Sequence, residues 1–141
     1  MNITDSASHP CTPLSLCSPD IANCESRTTL AQSLLEESDD SSTFEAIKLL
    51  KSALNTEREN SYAWYTLSRA YGEVGMKAEA KYATAEQAYA IGDLARASSF
   101  AKRAQTDLER GNPLWRRASD IIVVSDAQLA KKNSRNRGRK P

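Results

Sequence analysis

The side chains with the widest chemical reach lie at the amino end: His9, Cys11, Cys17 and Cys24. Thiolates and imidazoles bind zinc, but a structural site needs four good ligands, usually built on a tight C-x-x-C pair. Here the cysteines are six and seven residues apart among Ser, Thr and Pro, a spacing that predicts three free thiols and no metal. His9 is the only histidine and Pro10 follows it, so neither a zinc-binding helix nor a Ser/His/Asp set can be assembled around it. Gly75, Gly92 and Gly111 lack any G-x-x-x-x-G-K context and read as turn formers. The acids Glu36, Glu37, Asp39 and Asp40 read as a solvated helix surface. No catalytic residue, metal ligand or cofactor site is expected.

Charge is the next resource. The formal net charge of +1 over 141 residues hides an uneven layout. Residues 1–26 hold Asp5, Asp20 and Glu25 and no Lys or Arg, whereas residues 131–141 hold Lys131, Lys132, Arg135, Arg137, Arg139 and Lys140. Clustered bases can meet nucleic acid or an anionic membrane. This tail has no aromatic residue for base stacking and follows no nucleic-acid recognition motif, so specific nucleic-acid binding is not expected. The longest apolar run, Ile121 to Val124, is far too short to span a bilayer. With neither a basic start nor a continuous apolar stretch at its amino terminus, the chain shows no secretory signal and reads as cytoplasmic.

What must position any functional side chain is a set of short helices. Residues 1–26 carry no apolar periodicity and read as a disordered leader, and residues 131–141 as a disordered basic tail. Residues 27–130 carry apolar and small residues at helical spacing, broken by caps and glycines. A first helix is predicted over about Arg27–Glu37. Ser42, with Glu45 as its capping-box partner, opens a second that reaches Glu57. A third runs from Asn60–Ser61 to Gly75, and a fourth over Lys77–Ile91, stopped by Gly92. Asp93 caps a fifth that ends at Gly111. Asn112 and Pro113 then open a sixth that fades near Leu129.

Ala46, Ala63, Ala80 and Ala97 are seventeen residues apart. So are Leu50, Leu67, Thr84, Ala101 and Ala118, and so are Ala53, Ala70, Gln87, Ala104 and Ile121. One helix with its turn thus takes seventeen residues and a hairpin thirty-four, the tetratricopeptide (TPR) period. Small residues recur because paired helices approach closely only where side chains are short. Helices of about fourteen residues do not persist alone in water, so stacking must stabilise them. The expected fold is an all-α array of antiparallel helical hairpins, a TPR-like α-solenoid of about six helices. Its third hairpin is offset by half a period, so the fourth helix is expected to serve two neighbours.

In TPR register, Trp64, Leu67, Ser68, Tyr71, Gly75 and Ala80 fall on signature places, and Gly92, Ala97, Ala101 and Ala104 repeat the second half. Trp115 returns to the fourth place of a final unit. The runs AWYTLSRAYGEVG, GDLARASSFAKRA and GNPLWRRASDI carry a narrower resemblance, over about residues 28–124. They are similar to the C-terminal TPR domain of bacterial periplasmic zinc metallopeptidases of the BepA type, related to the CaaX prenyl endopeptidase. That family's catalytic domain binds zinc through H-E-x-x-H, which is absent here, so the resemblance carries over no zinc ligand and no catalytic Glu.

The resemblance implies protein binding in the groove lined by the first helix of each hairpin. The matching places are Tyr62, Tyr65, Arg69 and Gly72, and, if the fourth helix also acts as a first helix, Glu79, Tyr82, Glu86 and Tyr89. Tyr62, Tyr65, Arg69, Tyr82 and Tyr89 form the expected peptide-binding patch, since tyrosine offers area at low entropy cost and a hydroxyl. The alternative is that most of these tyrosines pack between hairpins. Trp64 and Trp115 are expected in the core. Function is therefore read as a non-catalytic interaction module, a free adaptor or detached recruiting domain. The competing reading is a fragment of a zinc metalloprotease lacking its catalytic domain, which would place it in the periplasm. Neither the partner nor the oligomeric state follows from these residues.

Overall fold

The computed structural model describes residues 19–139, which form six α-helices: α1 (Pro19–Glu36), α2 (Asp40–Thr56), α3 (Ser61–Glu73), α4 (Lys77–Ala90), α5 (Leu94–Asp107) and α6 (Pro113–Arg137). There are no strands among the described residues. His9, Cys11 and Cys17 lie outside the described residues, while Cys24 falls within α1.

The caps explain most of the boundaries. Asn60 accepts from the Ala63 N–H at 3.0 Å, Asp93 from the Arg96 N–H at 3.1 Å, and Asn112 from the Leu114 N–H at 2.9 Å. Each supplies an acceptor for a first-turn donor that has no partner within the helix. Gly75 (φ 78°) and Gly92 (φ 84°) adopt the left-handed conformation. The following N–H of Met76 donates back to Tyr71 O at 2.8 Å, and that of Asp93 to Ala88 O at 2.9 Å. These are Schellman turns, and their two bonds recur seventeen residues apart.

Four boundaries differ from expectation. α5 ends at Asp107, short of Gly111. α1 starts at Pro19, inside the stretch read as a disordered leader: Pro19 takes the first helical position with Asp20 behind it, a start that suits both residues. Residues 19–26 carry no apolar periodicity, so the start of the helix does not show in the hydrophobic pattern. α2 is capped by Asp39, whose carboxylate accepts from the Ser42 N–H at 3.4 Å, and not by Ser42 with Glu45. Ser42 instead donates its hydroxyl to Glu37 at 2.7 Å. α6 runs to Arg137, through most of the residues read as a disordered basic tail. No Gly or Pro interrupts it before Gly138, and Arg135 and Arg137 in its last turn favour the negative end of the helix dipole.

Each helix packs against the next, joined by connections of three to five residues (37–39, 57–60, 74–76, 91–93 and 108–112), so successive helices return antiparallel. The fold is an all-α, solenoid-like array of helical hairpins. The contacts that skip a helix are informative: α1 meets α3, and α4 meets α6, but α3 does not meet α5. The array is thus two three-helix groups joined along the α3–α4 seam. The seventeen-residue ladder shows the same shift. Ala46, Ala63 and Ala97 are fully buried, as are Leu50, Ala101 and Ala118, yet in α4 the equivalent Ala80 and Thr84 are only half-buried. α4 buries Tyr82, Ala83, Ala85, Glu86 and Ala88 instead. As expected, the fourth helix serves neighbours on both sides, and it does so by presenting a rotated face.

Ser38, in the α1–α2 connection, has φ 56° without being glycine. A left-handed conformation costs an L-residue about 1–2 kcal/mol, partly offset by the extra freedom glycine has when unfolded. Ser38→Gly should therefore raise the unfolding free energy by about 0.5–1 kcal/mol, measurable by urea denaturation.

Candidate functional site

Helix α3 presents two faces. Ala63, Trp64, Leu67, Ala70 and Tyr71 turn inward, and Trp64 meets the Tyr82 ring edge-on at 5.8 Å between centroids. The Trp64 indole N–H donates to Arg58 O at 2.7 Å, which satisfies its polar end. Burial raises the Tyr71 hydroxyl above its ordinary range, with Glu79 adding to the effect. Trp64 is buried as expected, and Trp115 is half-buried against the same core.

The other face of α3 carries Tyr62, Tyr65 and Arg69. Tyr62 and Tyr65 are 49% and 47% exposed, their ring centroids 6.5 Å apart and tilted by 31°. Tyr62 donates its hydroxyl to Gln32 of α1, which ties it to the neighbouring hairpin. Arg69 sits one turn beyond Tyr65, its guanidinium 3.9 Å from Glu73 with both side chains well exposed. An exposed pair of that kind contributes little, so Arg69 stays available. These three residues form one open surface.

Tyr82 and Tyr89 do not join it. Tyr82 is only 5% exposed, which corrects the expectation that it lines a binding groove. It donates its hydroxyl to Glu86 at 2.7 Å, and burial together with the Glu86 charge pushes the phenol far above its ordinary range. Glu86 is itself 4% exposed. From α6, Arg117 reaches both of its oxygens, Nε to Oε1 at 2.7 Å and Nη2 to Oε2 at 3.1 Å. This is the bidentate geometry that suits a carboxylate best, and that hydrogen bonding raises the guanidinium pKa further. The same guanidinium lies 5.8 Å from the centre of the half-buried Tyr89 ring. The physical reason for the correction is packing on both sides of α4: the Trp64 ring of α3 lies against Tyr82, and Arg117 of α6 lies against Glu86 and Tyr89. A cleft of about 300 Å³ remains there, between Arg58, Glu59, Glu86, Tyr89 and Arg117. Glu86 was legible as a groove position and Arg117 as part of GNPLWRRASDI, but their pairing, thirty-one residues apart, was not.

A smaller polar clasp joins α5 to α6. Ser98 donates to Asp126 Oδ1 at 2.6 Å and Lys102 to Oδ2 at 2.9 Å. These bonds hold the Asp126 carboxyl below its ordinary pKa.

The fold is an all-helical hairpin array whose α3 carries an open aromatic face. In comparisons with family models, curated proteins and solved structures, nothing matches the chain.

Proposed function

We propose that this chain is a TPR-type protein interaction module that captures a peptide segment on the open face of α3. The carrying observation is the pair Tyr62 and Tyr65, half-exposed and side by side, with Arg69 one turn away. Large aromatic surface left in water beside a guanidinium is typical of interface anchors. The complementary segment carries an apolar side chain to lie against the tyrosines and a carboxylate to meet Arg69. The hydrogen bond from Tyr62 to Gln32 preorganises the patch, so binding orders little that is not already ordered. The resemblance to the C-terminal domain of BepA-type metallopeptidases supports the same reading, as a domain that recruits a substrate or docks on a larger assembly.

Selection of a displayed peptide library on the full chain tests this. Selected peptides should be enriched in an acid spaced from an apolar residue. Tyr65→Ala with Arg69→Ala should weaken them about thirtyfold or more, the effect of losing one strong anchor, with circular dichroism unchanged. Peptides that bind the variant equally well, or a variant that loses its helicity, would count against the proposal.

A further inference from the structure

The geometry points to a second, separate surface: the carboxyl-terminal extension of α6 is a sequence-independent binding arm for the phosphate backbone of duplex DNA. α6 has 25 residues and α5 has 14, so at 1.5 Å per residue α6 is longer by about 16 Å. Leu94, the first residue of α5, lies level with the start of the basic stretch, and residues 130–139 are exposed throughout. At 100° per residue, Lys131, Lys132 and Arg135 fall within a stripe about 100° wide on α6, and Arg139 follows just past the helix end at Gly138. All four line one hollow of about 790 Å³ beside Leu94, which no carboxylate lines among the described residues.

The nearby acids are already occupied. Asp126 is held by Ser98 and Lys102, and Asp93 accepts from the first turn of α5. Among the described residues, none of the four bases is in an ion pair. Four unneutralised cations on a projecting rod therefore repel one another unless an anion of matching length lies alongside.

The composition of the arm chooses that anion. Residues 131–139 read KKNSRNRGR, without one apolar side chain. A lipid-binding helix needs an apolar face to sink below the headgroups, and a protein interface needs an apolar anchor. A phosphodiester backbone asks only for Lys, Arg and short hydroxyl or amide donors, which Ser134, Asn133 and Asn136 supply. An α-helix fits the major groove of B-DNA, about 12 Å wide. With no aromatic side chain on the arm to stack on bases, single strands gain nothing further. The contact is to phosphates, so the sequence of the duplex is not read.

Fluorescence anisotropy with the full chain and two labelled 20-base-pair duplexes of unrelated sequence, from 50 to 200 mM salt, tests the assignment. Four phosphate contacts predict that log K falls against log salt with a slope of about −3.6. The two duplexes should bind alike, and each of Lys131→Gln, Lys132→Gln, Arg135→Gln and Arg139→Gln should reduce the slope by about one. The fourfold variant should lose binding while its melting curve stays that of the parent, because these side chains touch no core. Tyr65→Ala with Arg69→Ala should leave duplex binding intact, which separates this surface from the α3 patch. A fourfold variant that still binds would overturn the proposal. So would a tenfold preference between the duplexes, tighter binding to a single strand, or capture by phosphatidylserine vesicles but not by DNA.

Discussion

Replacing Arg117 with methionine is expected to lower the unfolding free energy by about 3 kcal/mol, the lower end of the range for breaking a buried ion pair from one side. The lower end applies because the Arg117 side chain is 31% exposed and water already reaches it. The loss comes mainly from Glu86, which is 4% exposed and would keep a single hydrogen bond, from Tyr82, to stabilise a buried charge. Glu86→Gln alone should cost less, about 1–2 kcal/mol, because the freed guanidinium can turn toward solvent. The double variant, Glu86→Gln with Arg117→Met, should be more stable than Arg117→Met alone, since the amide that replaces the carboxylate can still accept from Tyr82 with no charge to bury. Urea titrations of the four proteins give the coupling directly. A double variant no better than Arg117→Met would mean that the arginine acts through its packing on Tyr89 and not through the carboxylate.

The second large effect is expected at Trp64. Trp64→Ala should cost about 3–5 kcal/mol, much of what a domain of this size possesses. The ring fills the seam between α3 and α4, the pair of helices that pack directly across the two three-helix groups. It also borders an existing cavity of about 140 Å³ between Leu54, Leu67, Tyr71, Tyr82 and Leu114, so truncation would merge the two voids and not let the site collapse. Because the seam is where the groups meet, a partly unfolded species should appear in Trp64→Ala. Hydrogen exchange should then show unequal protection of α1–α3 and α4–α6, whereas Arg117→Met, within the second group, should leave α1–α3 protected. Uniform loss of protection in both variants would show that the array unfolds as one unit.

These effects locate the tertiary decisions. Asn60, Asp93 and Asn112 act as caps where their types suggest, because capping is a bond between a side chain and a backbone N–H two or three residues away. Gly75 and Gly92 take positive φ for an equally local reason. Gly111, with the same reading, adopts no such angle, since α5 already ends at Asp107 and its connection does not demand one. The ends of the array were less legible. Pro19 opens a helix in a Ser- and Thr-containing stretch without apolar periodicity, and the bases of α6 extend a helix that nothing interrupts before Gly138. Periodicity detects a helix with something to bury, and residues 130–139 are exposed throughout.

The seventeen-residue recurrence of Ala, Leu and Ala by itself determined that the chain folds as sequential helical hairpins, since that spacing repeats one short-range geometry in each turn. It could not determine which side of each helix meets which neighbour. Tyr65 and Tyr82, seventeen residues apart, occupy equivalent places in their helices, yet one is half open and the other sealed, because Tyr82 packs against Trp64 of α3 and bonds Glu86, which Arg117 of α6 holds. The partner that buries Glu86 lies thirty-one residues away, and no local pattern encodes a contact at that range. Which tyrosines can meet a ligand was therefore decided by the packing of helices on one another, where the rotation of α4 transfers the skip contact from the first group of helices to the second.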